Sequence, residues 1–167
     1  MKTTRQMKFR RRKENKTNYA KRLAMLKSGK HRVLFRKSNK RITMQLISYE
    51  ETSDKTLASA YSDKLKQFGF EGKCNLPSAY LTGYWLGKLA LATGTTEAIF
   101  DAGIHMGVLG GRASAALKGV IDSGLKVPAE AKAFPKEDRL EGKHIESKGF
   151  QEAKSKIESL NAGKVKE

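Results

Sequence analysis

NLPSAYLTGYWLGKLAL, at residues 75–91, is the stretch that decides the fold. Asn75 suits an N-cap, Pro77 suits a first helical turn and Gly94 suits a helix stop, so the pattern predicts a helix over 77–93. Apolar side chains occur nearly all round this helix, with little polar surface. A helix of that kind is buried, and we expect the rest of the core to form around it.

The elements after this helix continue in α/β order. Gly83 and Gly87, four residues apart, clear one helix face for close approach of another backbone. An apolar run at 98–104 is of strand length, and a glycine turn then opens a second helix over 113–123. Helix, strand, turn and helix in this order are typical of an α/β layer.

Two strands and a turn come before the helix. Residues 33–37 and 42–48 are rich in β-branched and bulky side chains, and Ser38-Asn39 between them predicts a hairpin. Residues 56–62 predict a third strand, and 63–74 a loop or helical turn. The expected fold class is therefore α/β, with a mixed sheet made of the N-terminal antiparallel hairpin, the third strand and the later strand. Helices pack against this sheet.

The net charge is concentrated at the N-terminus. Residues 1–41 hold 17 of the 34 lysines and arginines and one acid, Glu14, which gives +16 of the formal +17. A segment of this kind repels itself, and a polyanion relieves the repulsion. The asymmetry favours nucleic acid over a membrane surface or a role in solubility.

The composition divides the chain into three parts: a basic arm with a short helix over 1–30, an α/β RNA-binding core over 31–126 and a C-terminal extension with a short helix over 127–167. Residues 1–16 lack apolar periodicity and are expected to be extended or disordered without a partner. In the extension, 146–160 carries a thin apolar stripe that predicts a helix weakened by Gly149. The anchors expected before it are Phe134, Leu140 and Ile145.

The arm helix is expected to run to about residue 28 and to begin at one of three caps: Asn15, Thr17 or Asn18. One apolar stripe along it predicts docking onto the core, while Lys21 and Arg22 face elsewhere. The stripe comprises Tyr19, Leu23 and Leu26.

Enzyme chemistry and metal binding find little support in the sequence. The single cysteine, Cys74, forms no internal disulfide and indicates a reducing cytosol, and the three histidines lack the spacing of zinc ligands. No apolar run reaches the length of about 18 residues that a membrane helix needs, and the basic N-terminus lacks the apolar segment of a signal peptide. Asp101 has no nucleophile beside it and is expected to bond local backbone. We expect no cofactor, no metal and no small-molecule substrate.

The glycine turn at 107–112 matches neither the dinucleotide-binding spacing nor the P-loop. Two uses of it stay open: an RNA phosphate held by the turn amides and Arg112, or a simple change of direction between strand and helix. The hairpin adds five cations with no acid between His31 and Tyr49, and we expect them to contact RNA. They are Arg32, Arg36, Lys37, Lys40 and Arg41.

Four stretches resemble the archaeal and eukaryotic branch of the L-eighteen family of large-subunit ribosomal proteins. They are RRRKENKTNYAKRLAMLKSGKHRVLFRKSNKRITMQL, the helix NLPSAYLTGYWLGKLAL, GGRASAALKGVIDSGLKVP and FPKEDRLEGKHI. The resemblance implies a cytoplasmic, non-enzymatic ribosomal protein that binds 5S rRNA and anchors it in the central protuberance. It also implies contact with large-subunit rRNA and with a neighbouring 5S-binding protein of the L-five family.

The resemblance implies RNA-binding residues in three places. The arm contributes Arg10, Arg11, Arg12, Lys13, Lys16, Thr17, Tyr19 and Arg22. The hairpin contributes Arg32, Arg36, Lys37, Asn39 and Arg41, and the glycine turn contributes Gly110, Gly111 and Arg112. Charge alone adds Lys8 and Lys40. Two other functions remain as alternatives: a transient RNA-processing or RNA-chaperone factor, and a small α/β nucleotide-binding enzyme.

Overall fold

A computed structural model describes residues 7–51, 53–103, 108–145 and 149–160. The strands are β1 (His31–Lys37), β2 (Ile42–Tyr49), β3 (Asp54–Tyr61) and β4 (Ala98–Asp101). The α-helices are α1 (Arg10–Lys13), α2 (Tyr19–Leu26), α3 (Leu76–Ala92), α4 (Arg112–Asp122), α5 (Glu137–Glu141) and α6 (Phe150–Glu158). Short 3-10 helices occupy Ser62–Phe68, Ala131–Ala133 and Lys143–Ile145.

The four strands form one mixed sheet in the order β3-β2-β1-β4. Strand β1 pairs antiparallel with β2 and parallel with β4, and β2 pairs antiparallel with β3. Ser38 closes the β1–β2 turn, because its N–H donates to the Arg41 carbonyl (2.8 Å) and its hydroxyl accepts from the Arg41 N–H (3.1 Å). The predicted fold class, α/β with a mixed sheet and packed helices, is confirmed.

The two faces of β1 have different neighbours. Val33 and Phe35 are fully buried in the core that the sheet shares with α3 and α4. Because side chains alternate along a strand, Arg32, Leu34 and Arg36 lie on the opposite face. We call this opposite surface of the sheet its outer face.

Helices α3 and α4 approach more closely than ordinary side chains allow. A Cβ on Gly83 would lie 2.1 Å from the Ala116 carbonyl oxygen, and one on Gly119 would lie 2.2 Å from the Tyr80 carbonyl oxygen. A Cβ on Gly87 would meet the Ser123 hydroxyl at 1.8 Å. The close approach predicted for Gly83 and Gly87 is confirmed, and Gly119 supplies the matching gap on α4.

The main helix matches its sequence signals. Asn75 caps α3, since its Oδ1 accepts the N–H of Ser78 (3.0 Å), and Pro77 lies in the first turn. Strand β4 ends at Asp101, earlier than expected, and part of its predicted extension lies at 104–107, outside the described residues. Here the carboxylate of Asp101 accepts the N–H of Gly103 (2.8 Å), which turns the chain out of the strand.

Three expectations for the ends of the chain need correction. Residues 10–13 form a short helix, because the Phe9 carbonyl accepts the N–H groups of Arg12 and Lys13 and Glu14 pairs with Arg10. Gly149, with φ of +79°, precedes α6 and so does not weaken its interior; 146–148 lie outside the described residues. Leu140 is buried as expected, but the expected anchor Ile145 is 44% exposed.

No helix in the described ranges is long and apolar enough to cross a bilayer.

Replacing Gly83 by alanine is expected to destabilise the protein by about 2 kcal/mol or more, because the new methyl group meets backbone atoms that cannot rotate away. Urea unfolding followed by circular dichroism measures this change. Ala92→Ser, on the exposed surface at the end of the same helix, is the control and should stay within about 0.5 kcal/mol of wild type. Equal stability of Gly83→Ala and wild type would contradict the packing described.

Candidate nucleic-acid interface

Helix α2 docks on the outer face of the sheet through charged side chains. Arg22 Nη2 lies 2.8 Å from Asp54 Oδ2, and Lys21 Nζ donates to the Gly103 carbonyl (3.4 Å). This reverses the expectation for α2: Lys21 and Arg22 face the sheet, while Leu23 in the predicted stripe is 56% exposed. The physical reason is that Asp54 and the Gly103 carbonyl lie beneath α2 and accept hydrogen bonds from its cationic side chains.

Arg32 lies beneath α2 at the centre of an ion-pair network. Its Nη2 is 2.9 Å from Asp54 Oδ2, and its Nη1 is 3.4 Å from Asp101 Oδ2. The residue is 2% exposed. Arg32 thus differs from the other predicted hairpin cations, because it is buried between two carboxylates and links the strands; its contact with RNA stays a prediction.

Asp54 therefore holds two guanidinium groups, Arg22 from the arm and Arg32 from β1. Partial burial opposes its ionisation, but hydrogen bonds and charge from Arg32 and Arg22 outweigh this and hold the pKa of Asp54 below its ordinary value. A lowered pKa in the folded state means that the stabilisation is complete above the unfolded value, about 3.9, and is lost as the pH falls through the folded value. Docking of α2 should thus be unaffected by pH in the neutral range.

The arm folds back before α2. Arg11 Nε donates to Thr17 Oγ1 (2.9 Å), the Phe9 and Tyr19 rings lie 5.4 Å apart, and Asn18 Oδ1 caps α2 by accepting the N–H of Lys21 (3.1 Å). Of the three predicted caps, Asn18 is therefore the one used. The remaining predicted cations of the arm are exposed: Lys8, Arg10, Arg12, Lys13 and Lys16.

A cavity of about 390 Å³ lies between the arm and the outer face of the sheet. It brings together predicted RNA-binding residues from both segments, although they are distant in sequence. The arm contributes Arg11, Lys16, Thr17, Tyr19 and Arg22, and β1 contributes Arg32 and Arg36.

The hairpin tip presents a second group of cations. Lys37, Asn39, Lys40 and Arg41 are all exposed at the turn between β1 and β2. Arg41 is loosely held, 3.8 Å from Asp63 and 5.9 Å from the centre of the Tyr61 ring. These side chains are thus free to approach a polyanion.

The glycine turn is not available in the way expected. The N–H of Gly110 donates to the Ala133 carbonyl (2.9 Å), and the N–H of Gly111 donates to the Val108 carbonyl (3.2 Å). Arg112 Nη1 donates to the Cys74 carbonyl (3.0 Å) and lies 3.2 Å from its sulfur. Both amides already have acceptors, which favours the simple turn among the two uses left open above.

Sequence reasoning missed the two side chains that join the arm to the sheet, Lys21 and Asp54. Asp54 precedes the third strand predicted at 56–62, and Asp101 was expected to bond local backbone. The signal available in the sequence was two acids, Asp54 and Asp101, beside or within predicted strands, together with Arg32 at the start of another strand. Among the described residues, no group of three or more His, Cys, Asp or Glu side chains is placed to hold a metal ion.

Residues 3–96 match the family described as ribosomal large subunit proteins 60S L5 and 50S L18. The chain is 48% identical over 142 residues to large ribosomal subunit protein uL18 of Korarchaeum cryptofilum, covering 84% of this chain and 73% of that protein. It is 44% identical over 140 residues to uL18 of Methanococcus maripaludis, covering 83% of this chain and 72% of that protein.

Replacing Asp54 by asparagine should release α2, because both guanidinium groups lose their shared charge and Arg32 keeps only Asp101. We expect trypsin to cleave after arm residues at least several-fold faster at neutral pH, as read by mass spectrometry. Asp63→Asn removes a carboxylate of the same kind from an exposed pair and should leave the cleavage rate unchanged. Equal rates in the two variants would show that Asp54 does not hold the arm.

Proposed function

Because this chain belongs to the family of ribosomal large-subunit proteins 60S L5 and 50S L18, we propose that it binds 5S rRNA and anchors it to large-subunit rRNA in the central protuberance. The family membership makes the chain a structural constituent of the large ribosomal subunit in the cytoplasm. It also confirms the resemblance seen in the sequence and the prediction that the chain is no enzyme.

The proposal rests mainly on one observation: cations of the arm and cations of β1 line the same cavity. Asp54 pairs with Arg22 of α2 and Arg32 of β1, so the arm lies against the strand that leads to the hairpin tip. The result is a surface on which arm and hairpin cations act together. A folded RNA offers phosphates on several neighbouring strands, and a surface of this extent suits it better than a single exposed helix does.

Affinity and specificity come from different members of this surface. Exposed lysines and arginines neutralise phosphates, which gives affinity without sequence information. Specificity for 5S rRNA then depends on RNA shape and on a few polar or stacking groups. Tyr19 in the arm and Asn39 at the hairpin tip are the side chains proposed for that role, since both are exposed beside cations.

Large-subunit rRNA and the neighbouring 5S-binding protein of the L-five family complete the proposed set of partners. The support for both is the family to which the chain belongs. The glycine turn takes no part in this proposal.

Removal of residues 1–16 is expected to weaken 5S rRNA binding severely, because eight cations are lost with them. The thermal transition of the free protein should change little, since none of the side chains in α1 is buried. Filter binding over a range of salt concentrations measures the first quantity and calorimetry the second. For the intact chain, neutralising about eight phosphates gives a slope of log K against log salt of roughly −6 to −7.

Two single substitutions sharpen this test. Lys40→Gln at the hairpin tip should reduce the magnitude of the salt slope by about one. Lys66→Gln, an exposed lysine outside the proposed surface with the same change of charge, should leave it unaltered. A slope near zero for the intact chain would refute the proposal, and release from large subunits on a gradient after a moderate salt wash would favour a transient RNA factor instead.

A further inference from the structure

The cavity between the arm and the sheet has the size of a ligand site. At about 390 Å³ it falls within the range of roughly 300–1,000 Å³ typical of small-molecule clefts. Its walls come from α1, the turn before α2, α2 itself and the outer face of the sheet, so any occupant would contact both the arm and the core. No side chain of α1 or α2, the helices that form two of its walls, is buried.

The charge around this cavity is not balanced. Six cations line it against two acids, Asp54 and Asp101. Burial lowers the pKa of Arg36, and the positive charges of Arg11 and Arg32 lower it further against the opposing effect of Asp101. Guanidinium groups from two distant segments are therefore crowded together, and an anion between them would relieve the repulsion.

A buried donor at the same place lacks an acceptor. The Nε of Arg32 has no hydrogen-bond partner among the described residues, although the residue is almost fully buried and lines the cavity. Its Nη2 pairs with Asp54 Oδ2 at 2.9 Å, and the other oxygen of that carboxylate, Oδ1, likewise has no hydrogen-bond partner among the described residues. A buried polar group without a partner is costly, so an occupant of the cavity that offers an acceptor to Arg32 Nε would be stabilised by it.

The rest of the lining is suited to a sugar and a base. Leu34, Ile47 and Met25 give an apolar floor, and Tyr19 adds an aromatic ring beside it. Asn18 also lines the cavity, and its amide nitrogen stays available because only its oxygen is used to cap α2. An inorganic anion would need none of these groups, whereas bases stack on aromatic rings and bond to polar side-chain groups.

We propose that this cavity receives one nucleotide of the bound RNA, with its phosphate against Arg11, Arg36 and the buried Arg32 and its sugar and base against the apolar floor and Tyr19. The occupant contacts both the arm and the sheet, so RNA binding strengthens the docking that Asp54 already provides in the free protein. This inference rests on the proposed function for the source of the nucleotide, and it adds a defined subsite to the proposed RNA surface.

The test uses 5′-AMP as the probe on the free, full-length protein, with adenosine and inorganic phosphate at matched ionic strength. We expect 5′-AMP to raise the melting temperature saturably and to slow trypsin cleavage of the arm. Adenosine should have no effect, because it lacks the phosphate. Inorganic phosphate should act more weakly than 5′-AMP, and an equal effect would overturn the nucleotide assignment in favour of a plain anion site.

Single substitutions test whether 5′-AMP binds in this cavity. Arg36→Gln and Arg11→Gln should each weaken the apparent affinity for 5′-AMP by about tenfold or more, since each removes a charged contact. Arg11 lies in a helix that buries nothing, so its substitution cannot act by unfolding the core. Lys66→Gln, with the same loss of charge outside the cavity, should bind as wild type does. Equal weakening in all three variants would reduce the binding to general charge attraction and overturn the site.

Different results would refute the nucleotide subsite and the proposed binding of 5S rRNA. If the intact chain binds 5S rRNA but 5′-AMP changes neither melting nor cleavage, the nucleotide subsite is refuted and the proposed function stands. If 5′-AMP protects the arm but 5S rRNA is not bound above the level of an unrelated RNA of equal length, the proposed function is refuted and the cavity is a nucleotide site of other use.

Discussion

Asp54 of β3 pairs with Arg32 of β1 and with Arg22 of the arm, and the placement of the proposed RNA surface depends on this shared carboxylate. Arg32 also pairs with Asp101 of β4, so one buried guanidinium links the two edge strands of the sheet, β3 and β4. A buried ion pair adds little net stability, because both charges lose water, but removal of one partner leaves the other uncompensated. The network therefore fixes geometry more than it adds stability.

The arm depends on these ion pairs for its position, because it has no hydrophobic core of its own. Neither α1 nor α2 buries a side chain, and their cations repel one another. Charged contacts from Arg22 and Lys21 hold α2 on the outer face of the sheet, while α3 and α4 pack on the other face. The sheet thus separates two tasks: one face is the hydrophobic core, and the other carries the arm and its positive charge.

The sequence predicted the core better than the interface. Cap, proline and glycine signals located α3, and β-branched and bulky residues located β1 and β2, because these signals are local. The docking of α2 was predicted on its apolar stripe, whereas the structure uses Arg22. That outcome depends on Asp54 and Asp101, which come together only through the strand order β3-β2-β1-β4, and no local pattern encodes that order. The occupied amides of Gly110 and Gly111 depend likewise on a tail residue, Ala133.

The central claim is that arm and hairpin form one surface for 5S rRNA because Asp54 holds them together. Hydroxyl-radical footprinting of 5S rRNA with the intact chain and with Asp54→Asn tests it most directly. The intact chain should protect one continuous set of riboses, and the variant should lose the arm-dependent part of this footprint while keeping the part that depends on the hairpin tip. Identical footprints for the two proteins, or no protection of 5S rRNA by the intact chain, would contradict the claim.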